Sequence, residues 1–156
     1  MRALFTLLAF LAIAPMATAQ PIDPRPGWVV MPTEKPFDVL LEDLRAAVSA
    51  EGFGVVTQAG PTGAARARGI DIPENRVIGV FNNVYAVRIL SLSPAAMIEA
   101  PIRFYLTETP GGGTTLSYKT PGFIFAPYID EGGPELAAAA AELDAAFRSI
   151  ANAAVE

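Results

Sequence analysis

The chain of 156 residues contains neither cysteine nor histidine. Without cysteine it can form no disulfide and has no thiol nucleophile. Without histidine it lacks the base of Ser-His-Asp and Cys-His sites, and the commonest zinc and copper ligands are missing as well. This excludes most familiar hydrolases, and no other catalytic signature is present. We therefore predict no catalytic residue, no metal site and no cofactor, and the sequence favours a protein that is not an enzyme.

Basic residues are also scarce, since 11 Lys and Arg stand against 16 Asp and Glu, giving a formal net charge of −5. A distributed negative charge repels phosphate backbones and anionic lipid headgroups. The local basic pair Arg66 and Arg68 is interpreted as a solvated helix face or turn. Nucleic acid is therefore not an expected partner.

The one long apolar run, Ala3 to Ala14, follows the charge of Arg2 and precedes the small residues Ala17-Thr18-Ala19. This pattern is typical of a secretory signal peptide, and the run is too short for a membrane span. We predict that residues 1–19 are a signal peptide cleaved after Ala19. The remaining 137 residues are then periplasmic or secreted, have no membrane span, and are held together by packing.

The exported part is predicted to be an extended leader over 20–27, rich in proline that fixes φ, and a single α+β domain over 28–156. We expect a two-layer domain, with an antiparallel or mixed sheet of about five strands and helices packed on one face. Apolar periodicity and helix start and stop signals place a helix between Pro36 and Gly52, one capped by Asn82 or Asn83, and a long one from Pro134. The long helix carries one apolar stripe, whose partner is its own sheet or a second copy of the protein: Leu136, Ala140, Leu143, Phe147, Ile150 and Ala154. A short first strand is predicted from Trp28 to Met31. The continuous apolar run at 76–81 favours a central strand covered on both faces.

The stretch "APIRFYLTE" alternates in polarity. Ile102, Phe104 and Leu106 are predicted to face the helices, while Arg103 and Tyr105 face outward. A hairpin at Gly111-Gly112-Gly113 should pair this strand with "TLSYKT". Opposed residue numbers that sum to 224 would place Tyr105 against Lys119, and a sum of 222 would oppose two like charges, Arg103 and Lys119. We predict the register with the sum of 224.

The order of "EGFGV", "VFNN", "SPAAMIEAPIRFYLTE" and "LSYKTPG" before a long final helix resembles the bacterial family known as domain of unknown function 302. The resemblance extends from about Trp28 to Ala154. It implies a compact α+β fold and a tendency to self-associate, and it implies no reaction. The positions that match the family pattern are Gly52, Asn82, Pro101, Arg103, Tyr118 and Pro121.

The candidate binding residues come from the outward face of the sheet, from the resemblance and from an aromatic segment at 121–133, which is expected to be a loop that overhangs the sheet. The outward face combines a guanidinium, a phenol and the ammonium of Lys119, which suit an anionic or aromatic partner or a second subunit. The aromatic segment is either the wall of a pocket or a plug for the core. The set is Arg103, Tyr105, Tyr118, Asn82, Phe123, Phe125 and Tyr128.

Carboxylates supply the remaining chemistry. Glu108 could act as a base if it were buried near Tyr105 or Arg103, or it is an exposed acid beside a turn. The adjacent Asp130 and Glu131 could contact calcium but supply too few oxygens, so a solvated turn and helix cap is preferred.

These features favour a non-catalytic exported module of the cell envelope that binds a small molecule or a protein. The alternatives are a lyase or isomerase that uses Glu, Tyr and Arg, and a structural subunit of an envelope complex. We also expect a homodimer formed through sheet faces or edges rather than through the last helix.

Overall fold

The computed structural model describes residues 22–156. The predicted signal peptide and the first two residues of the predicted leader lie outside this range. The described chain forms a five-stranded antiparallel sheet in the order β1-β5-β4-β3-β2. Its strands are β1 (Trp28–Thr33), β2 (Gly54–Ala59), β3 (Asn75–Phe81), β4 (Ile102–Glu108) and β5 (Thr114–Lys119).

Within residues 22–156, five α-helices connect and follow the strands, and 3₁₀ turns occur at Ala95–Glu99 and Ala126–Tyr128. The helices are α1 (Phe37–Ala50), α2 (Thr62–Arg66), α3 (Asn83–Leu92), α4 (Pro121–Phe125) and α5 (Ile129–Val155). Among the described residues, no helix has the length and apolar content needed to cross a bilayer. The predicted α+β class is confirmed.

The core lies between one face of the sheet and the apolar sides of α1 and α5. Phe104 of β4 stacks on Phe147 of α5, with ring centroids 4.8 Å apart, and Phe147 meets Phe53 edge to face at 6.1 Å. The predicted inward set of β4 is buried as expected, and so is the predicted stripe of the last helix: Leu136, Ala140, Leu143, Phe147, Ile150 and Ala154.

Helix α5 begins earlier than predicted, at Ile129, but it is broken at Gly133, where φ is 63° and ψ is −161°. Only glycine adopts such a conformation without strain. The helical run that carries the apolar stripe therefore starts at Pro134, the residue that the sequence indicated. The apolar stripe is used inside the monomer and is not available as a seam between helices of two copies.

The predicted register of β4 and β5 is wrong. The structure pairs Phe104 with Tyr118 and Leu106 with Leu116, so opposed numbers sum to 222. The connection is also longer than the three predicted glycines, because it runs over residues 109–113. It is closed by a hydrogen bond from the Thr109 N–H to the Gly113 carbonyl (2.8 Å), while Gly112 has a φ of 86°. This register places the Phe104 and Tyr118 rings in contact, with centroids 5.2 Å apart.

The prediction that the apolar strand at 76–81 is covered on both faces also needs correction. Ile78 and Val80 are buried beneath the helices, whereas Val77 points to the other face and is only half-buried. That face is left open by the long helices, and the apolar side chain of Val77 lines a groove there.

Candidate functional site

One row of residues crosses the open face of the sheet from β1 to β3. Trp28 pairs with Lys119 across β1 and β5, and Arg103 pairs with Gly79 across β4 and β3. Extending the β4–β5 register by one residue sets Arg103 directly opposite Lys119. The unexpected register thus places two cationic residues, Arg103 and Lys119, at opposed positions on neighbouring strands.

A groove of about 830 Å³ lies over this row. This volume is within the range of roughly 300–1,000 Å³ that is typical of small-molecule sites. The groove is lined by residues from the strands and from the segments at their ends, and most of them are apolar or aromatic. They are Trp28, Ala59, Gly60, Pro61, Asn75, Val77, Glu99, Ile102, Arg103, Tyr105, Tyr118, Lys119 and Ile124.

Two cations lie near the indole of Trp28. The Lys119 ammonium is 5.8 Å from the ring centroid, and the guanidinium of Arg25 is 5.1 Å from it. Cation–π contacts of this kind hold the indole among positive charges. Within residues 22–156, Arg103 and Lys119 form no ion pair, in contrast to Arg66 and Arg88, which bind Glu74 and Glu142.

Small side chains form the centre of the open face. Ser117 is 0% exposed although it points away from the helices, and its hydroxyl donates to the Tyr105 carbonyl at 3.4 Å. Gly79 is buried because Thr57 and Pro101 close over it. A Cβ at this position would lie 2.2 Å from the Thr57 Oγ1. These small residues are covered by their neighbours, so the exposed surface of this face is formed by the larger side chains around them.

Tyr105 follows Arg103 on the same face of β4 and pairs with Ser117 and Val77 on either side. It is half-buried and lines the groove. Arg103 and Tyr105, predicted from the alternation of β4, are therefore brought together in one concave site with Lys119.

Tyr118 reaches the groove from the other side of the sheet. Its ring packs against Phe104 and Phe147, and only 3% of the residue is exposed. Burial raises the pKa of the Tyr118 phenol because the charged phenolate is disfavoured there. Its principal contacts are in the core, and it contributes a narrow edge to the groove.

Asn82 lies away from the groove and caps helix α3. Its side-chain oxygen accepts hydrogen bonds from the N–H groups of Val84 (2.9 Å) and Tyr85 (3.2 Å). Its amide donates to the Gly52 carbonyl at 3.0 Å. The sequence expected a cap at Asn82 or Asn83, and the structure places it at Asn82.

The three aromatic candidates of the segment at 121–133 have separate environments. Phe125 is 2% exposed and plugs the core, while Phe123 is 47% exposed and its ring covers Gly27. The Tyr128 hydroxyl donates to Glu99 Oε1 at 2.8 Å, and this bond is the main cause of its raised pKa. The segment is helical, because Thr120 caps α4 and Asp144 accepts from the Gly122 N–H. It does not converge on the row that contains Arg103.

The candidate base Glu108 is separated from Arg103 and from the groove. It lies on the opposite face of β4, and its Oε2 accepts a hydrogen bond from the Glu74 N–H at 3.0 Å. It lines a smaller cavity of about 170 Å³ that Tyr105 also borders. The three groups required for the predicted acid–base chemistry therefore do not meet in the groove.

In the acidic pair at the start of α5, Glu131 Oε2 accepts a hydrogen bond from the hydroxyl of Ser93, 38 residues earlier in the chain, at 2.7 Å. Over the part of the chain that the structure describes, no three acidic side chains are grouped so that they could hold a metal ion.

Sequence reasoning missed the contribution of Trp28, which it assigned only to a first strand, and of Ala59 to Pro61 at the end of β2. Local pattern gives no sign that β1 pairs with β5. The sequence did contain a signal for Val77. In a strand with one open face the outward positions are expected to be polar, and Val77 is an apolar residue at such a position.

Comparisons with known proteins agree with this fold. The model of the family described as "Domain of unknown function DUF302" matches residues 29–154. The chain is similar in structure to an uncharacterized conserved DUF302 protein from Bacillus stearothermophilus, with a TM-score of 0.73 and 19% identity. The likeness covers 83% of this chain and 98% of that one. No curated protein matches the sequence.

Proposed function

The chain belongs to the DUF302 family, and we propose that it is an exported, non-catalytic module of the cell envelope that binds a small molecule on the open face of its sheet. The observation that carries the proposal is the groove of about 830 Å³, in which Arg103, Tyr105 and Trp28 converge. A concave, mostly apolar site with a few polar groups is the usual form of a ligand site.

The same geometry disfavours the lyase or isomerase alternative. Its candidate base, Glu108, is held by the backbone of Glu74 on the other face of β4. Glu99 lines the groove, but it already accepts the hydrogen bond of the Tyr128 hydroxyl. A base must reach the proton that it removes, and neither carboxylate is placed beside Arg103 by any observed contact.

Trp28 provides the test, because it is the single tryptophan of the chain and lines the groove. The protein purified after export of the full chain would be titrated with envelope metabolites, peptides and amphipathic compounds, and Trp28 emission would be measured. We expect at least one compound to change the emission without being turned over.

A matched pair of variants locates the binding. Ala59→Phe fills the groove wall, whereas Gln58→Phe adds the same ring on the other face of β2. Loss of the emission change in the first variant alone supports the proposal. Binding unaffected by Ala59→Phe places the ligand elsewhere, and turnover that is abolished by Glu99→Gln would establish an enzyme.

Export is tested separately by mass spectrometry of the protein recovered from a bacterial host. We expect the mass of a chain that starts at Gln20, and an intact N-terminus in the cytoplasmic fraction would contradict it. This pattern of cleavage would place the protein in the periplasm or outside the cell.

The homodimer stays a prediction. The stripe of α5 is buried within the monomer, which leaves the sheet faces and edges. Edge strand β2 carries Val56, which is 53% exposed. Light scattering should show a dimer that Val56→Lys weakens and that Ala146→Glu does not, because edge charges oppose strand pairing. A protein that remains monomeric at a concentration of about tens of micromolar, which is the order of magnitude at which a weak interface forms, refutes the prediction.

The structural-subunit alternative would be favoured by envelope proteins that co-purify with the chain.

A further inference from the structure

The opposition of Arg103 and Lys119 is unfavourable for the protein alone. Like charges directly opposite each other in an antiparallel pair are destabilising. No carboxylate within the described residues neutralises either one. A fold that retains such a conflict at a concave site commonly retains it for function.

An anion from outside the chain would remove this conflict. The guanidinium presents a planar fork that matches a carboxylate or phosphate, and the adjacent ammonium adds a second charged donor. The protein carries a formal net charge of −5, yet Arg103, Lys119 and the Arg25 guanidinium near Trp28 gather at one end of the groove, and none of them is in an ion pair within the described residues. The positive end of the groove is therefore complementary to an oxyanion.

The rest of the groove is apolar. Tyr105 lies two residues after Arg103 on β4 and is paired with Val77 of β3. Ala59 and Pro61 form the wall of the groove at this point. At about 3.3 Å per residue, the floor from the row of Arg103 to that of Asn75 is roughly 13 Å long. A ligand that fills this length has its apolar part over Tyr105 and Val77.

We infer that the groove binds an amphipathic organic acid, with its carboxylate between Arg103 and Lys119 and its apolar body along Tyr105 and Val77. This inference rests on the proposed binding function and specifies the class of ligand. It requires both parts of the molecule, because the cations recognise the acid and the apolar floor recognises the chain.

Four probes separate these contributions: octanoate, 1-octanol, acetate and inorganic phosphate. Each is titrated into the exported protein in a buffer without other organic acids, and Trp28 emission is followed. We expect octanoate to bind at least about tenfold more tightly than octanol, because charge-assisted hydrogen bonds contribute roughly 1.5–3 kcal/mol. Acetate and phosphate should be weaker by at least about tenfold for lack of buried apolar area.

Variants assign the effect to the two cations. Arg103→Gln and Lys119→Gln should each weaken octanoate about tenfold and leave octanol unchanged. Lys119→Arg should retain octanoate binding. Arg45→Gln removes a charge from α1, away from the groove, and should change nothing. Circular dichroism confirms that each variant is folded.

The outcomes distinguish the two levels of the proposal. If octanoate and octanol bind equally and the Gln variants change neither affinity, the groove does not recognise an acid group. The inference is then refuted, and the proposed binding function stays in place. If phosphate binds as tightly as octanoate, the groove does not recognise an apolar part of the ligand, and this half of the inference is refuted. No response to any of the four probes overturns the inference, while the proposed function is then judged by the wider set of compounds and the Ala59→Phe variant.

Discussion

The repulsion between Arg103 and Lys119 predicts that removing either charge stabilises the protein without ligand. Arg103→Gln and Lys119→Gln each keep a polar chain on the open face while they remove one charge. Once the change in packing is accounted for, each single replacement should raise the free energy of unfolding because it removes the repulsion. The double replacement should give no additional gain from this source, because one replacement already removes the repulsion. A double-mutant cycle isolates this term from changes in strand propensity and from the loss of the Lys119 contact with Trp28.

The magnitude follows from the register. Directly opposed side chains have Cβ atoms about 4.5–5.5 Å apart, and cross-strand pairs contribute roughly 0.2–1 kcal/mol. Two unit charges about 6 Å apart interact by roughly 0.7 kcal/mol in water. We expect a coupling energy of about 0.5–1 kcal/mol at about 0.1 M salt. It should fall toward zero at about 1 M salt, where the Debye length is about 3 Å.

The assay is urea unfolding of the four proteins in the cycle at both salt concentrations, in a buffer free of organic acids and phosphate. A second cycle with Arg103→Gln and Arg68→Gln is the control, and it should be additive because the two residues share no partner. A coupling that is absent, or that does not respond to salt, would refute the adjacency of the two cations. It would instead fit the register in which Tyr105 opposes Lys119.

Three further predictions concern the framework of the site. Phe147→Ala should cost about 3–5 kcal/mol in urea unfolding, because the ring is fully buried, whereas Val84→Ala, at a residue that is 77% exposed, should stay within about 0.5 kcal/mol. Asn82→Ala should cost about 1 kcal/mol by losing the cap of α3, and Asn83→Ala, beside the cap, should cost less. Burial raises the pKa of Tyr118 in the folded state, so the unfolded chain loses its proton first as the pH rises above about 10. Stability should therefore fall at alkaline pH, and Tyr118→Phe should lessen that fall in unfolding curves measured across this range.

Local pattern was sufficient for the elements whose residues bury one another in the predicted way. The alternation of β4 identified Phe104 and Leu106 as core residues, and the spacing in α5 identified Leu143 and Phe147, because burial of large apolar side chains dominates the energy of packing. These terms are several times larger than any surface interaction. Burial of large apolar side chains therefore determines which face of a helix or strand is buried, whichever strand lies beside it.

The register of β4 and β5 could not be obtained in this way. Sums of 222 and 224 keep the same residues on the core face, so burial does not distinguish them. The only remaining difference in the sequence is one like-charge pair, worth about 1 kcal/mol or less. The structure has that pair, together with ring contact between Phe104 and Tyr118 and a hydrogen-bonded loop at 109–113. Arg103 and Lys119, which the predicted register kept apart, are thus both in the candidate site.

The aromatic segment after β5 was expected to be a loop that overhangs the sheet. Two interactions make it helical instead: the side chain of Thr120 caps α4, and the Gly122 N–H donates to Asp144 of α5 at 2.9 Å. The second is a contact between residues 22 positions apart, which no local rule anticipates. Phe123, Phe125 and Tyr128 consequently have three separate environments and do not form one wall.

The strand order explains why the site depends on the whole fold. Pairing of β1 with β5 joins the first strand of the domain to the last, and this pairing alone sets Trp28 beside Lys119. Contacts between residues so distant in sequence carry a large entropic cost and form only with the rest of the core. The groove wall that Trp28 forms beside Lys119 therefore exists only when β1 is docked. A change that detaches β1 should weaken acid binding and abolish the Trp28 signal, even where Arg103 and Tyr105 keep their positions on β4.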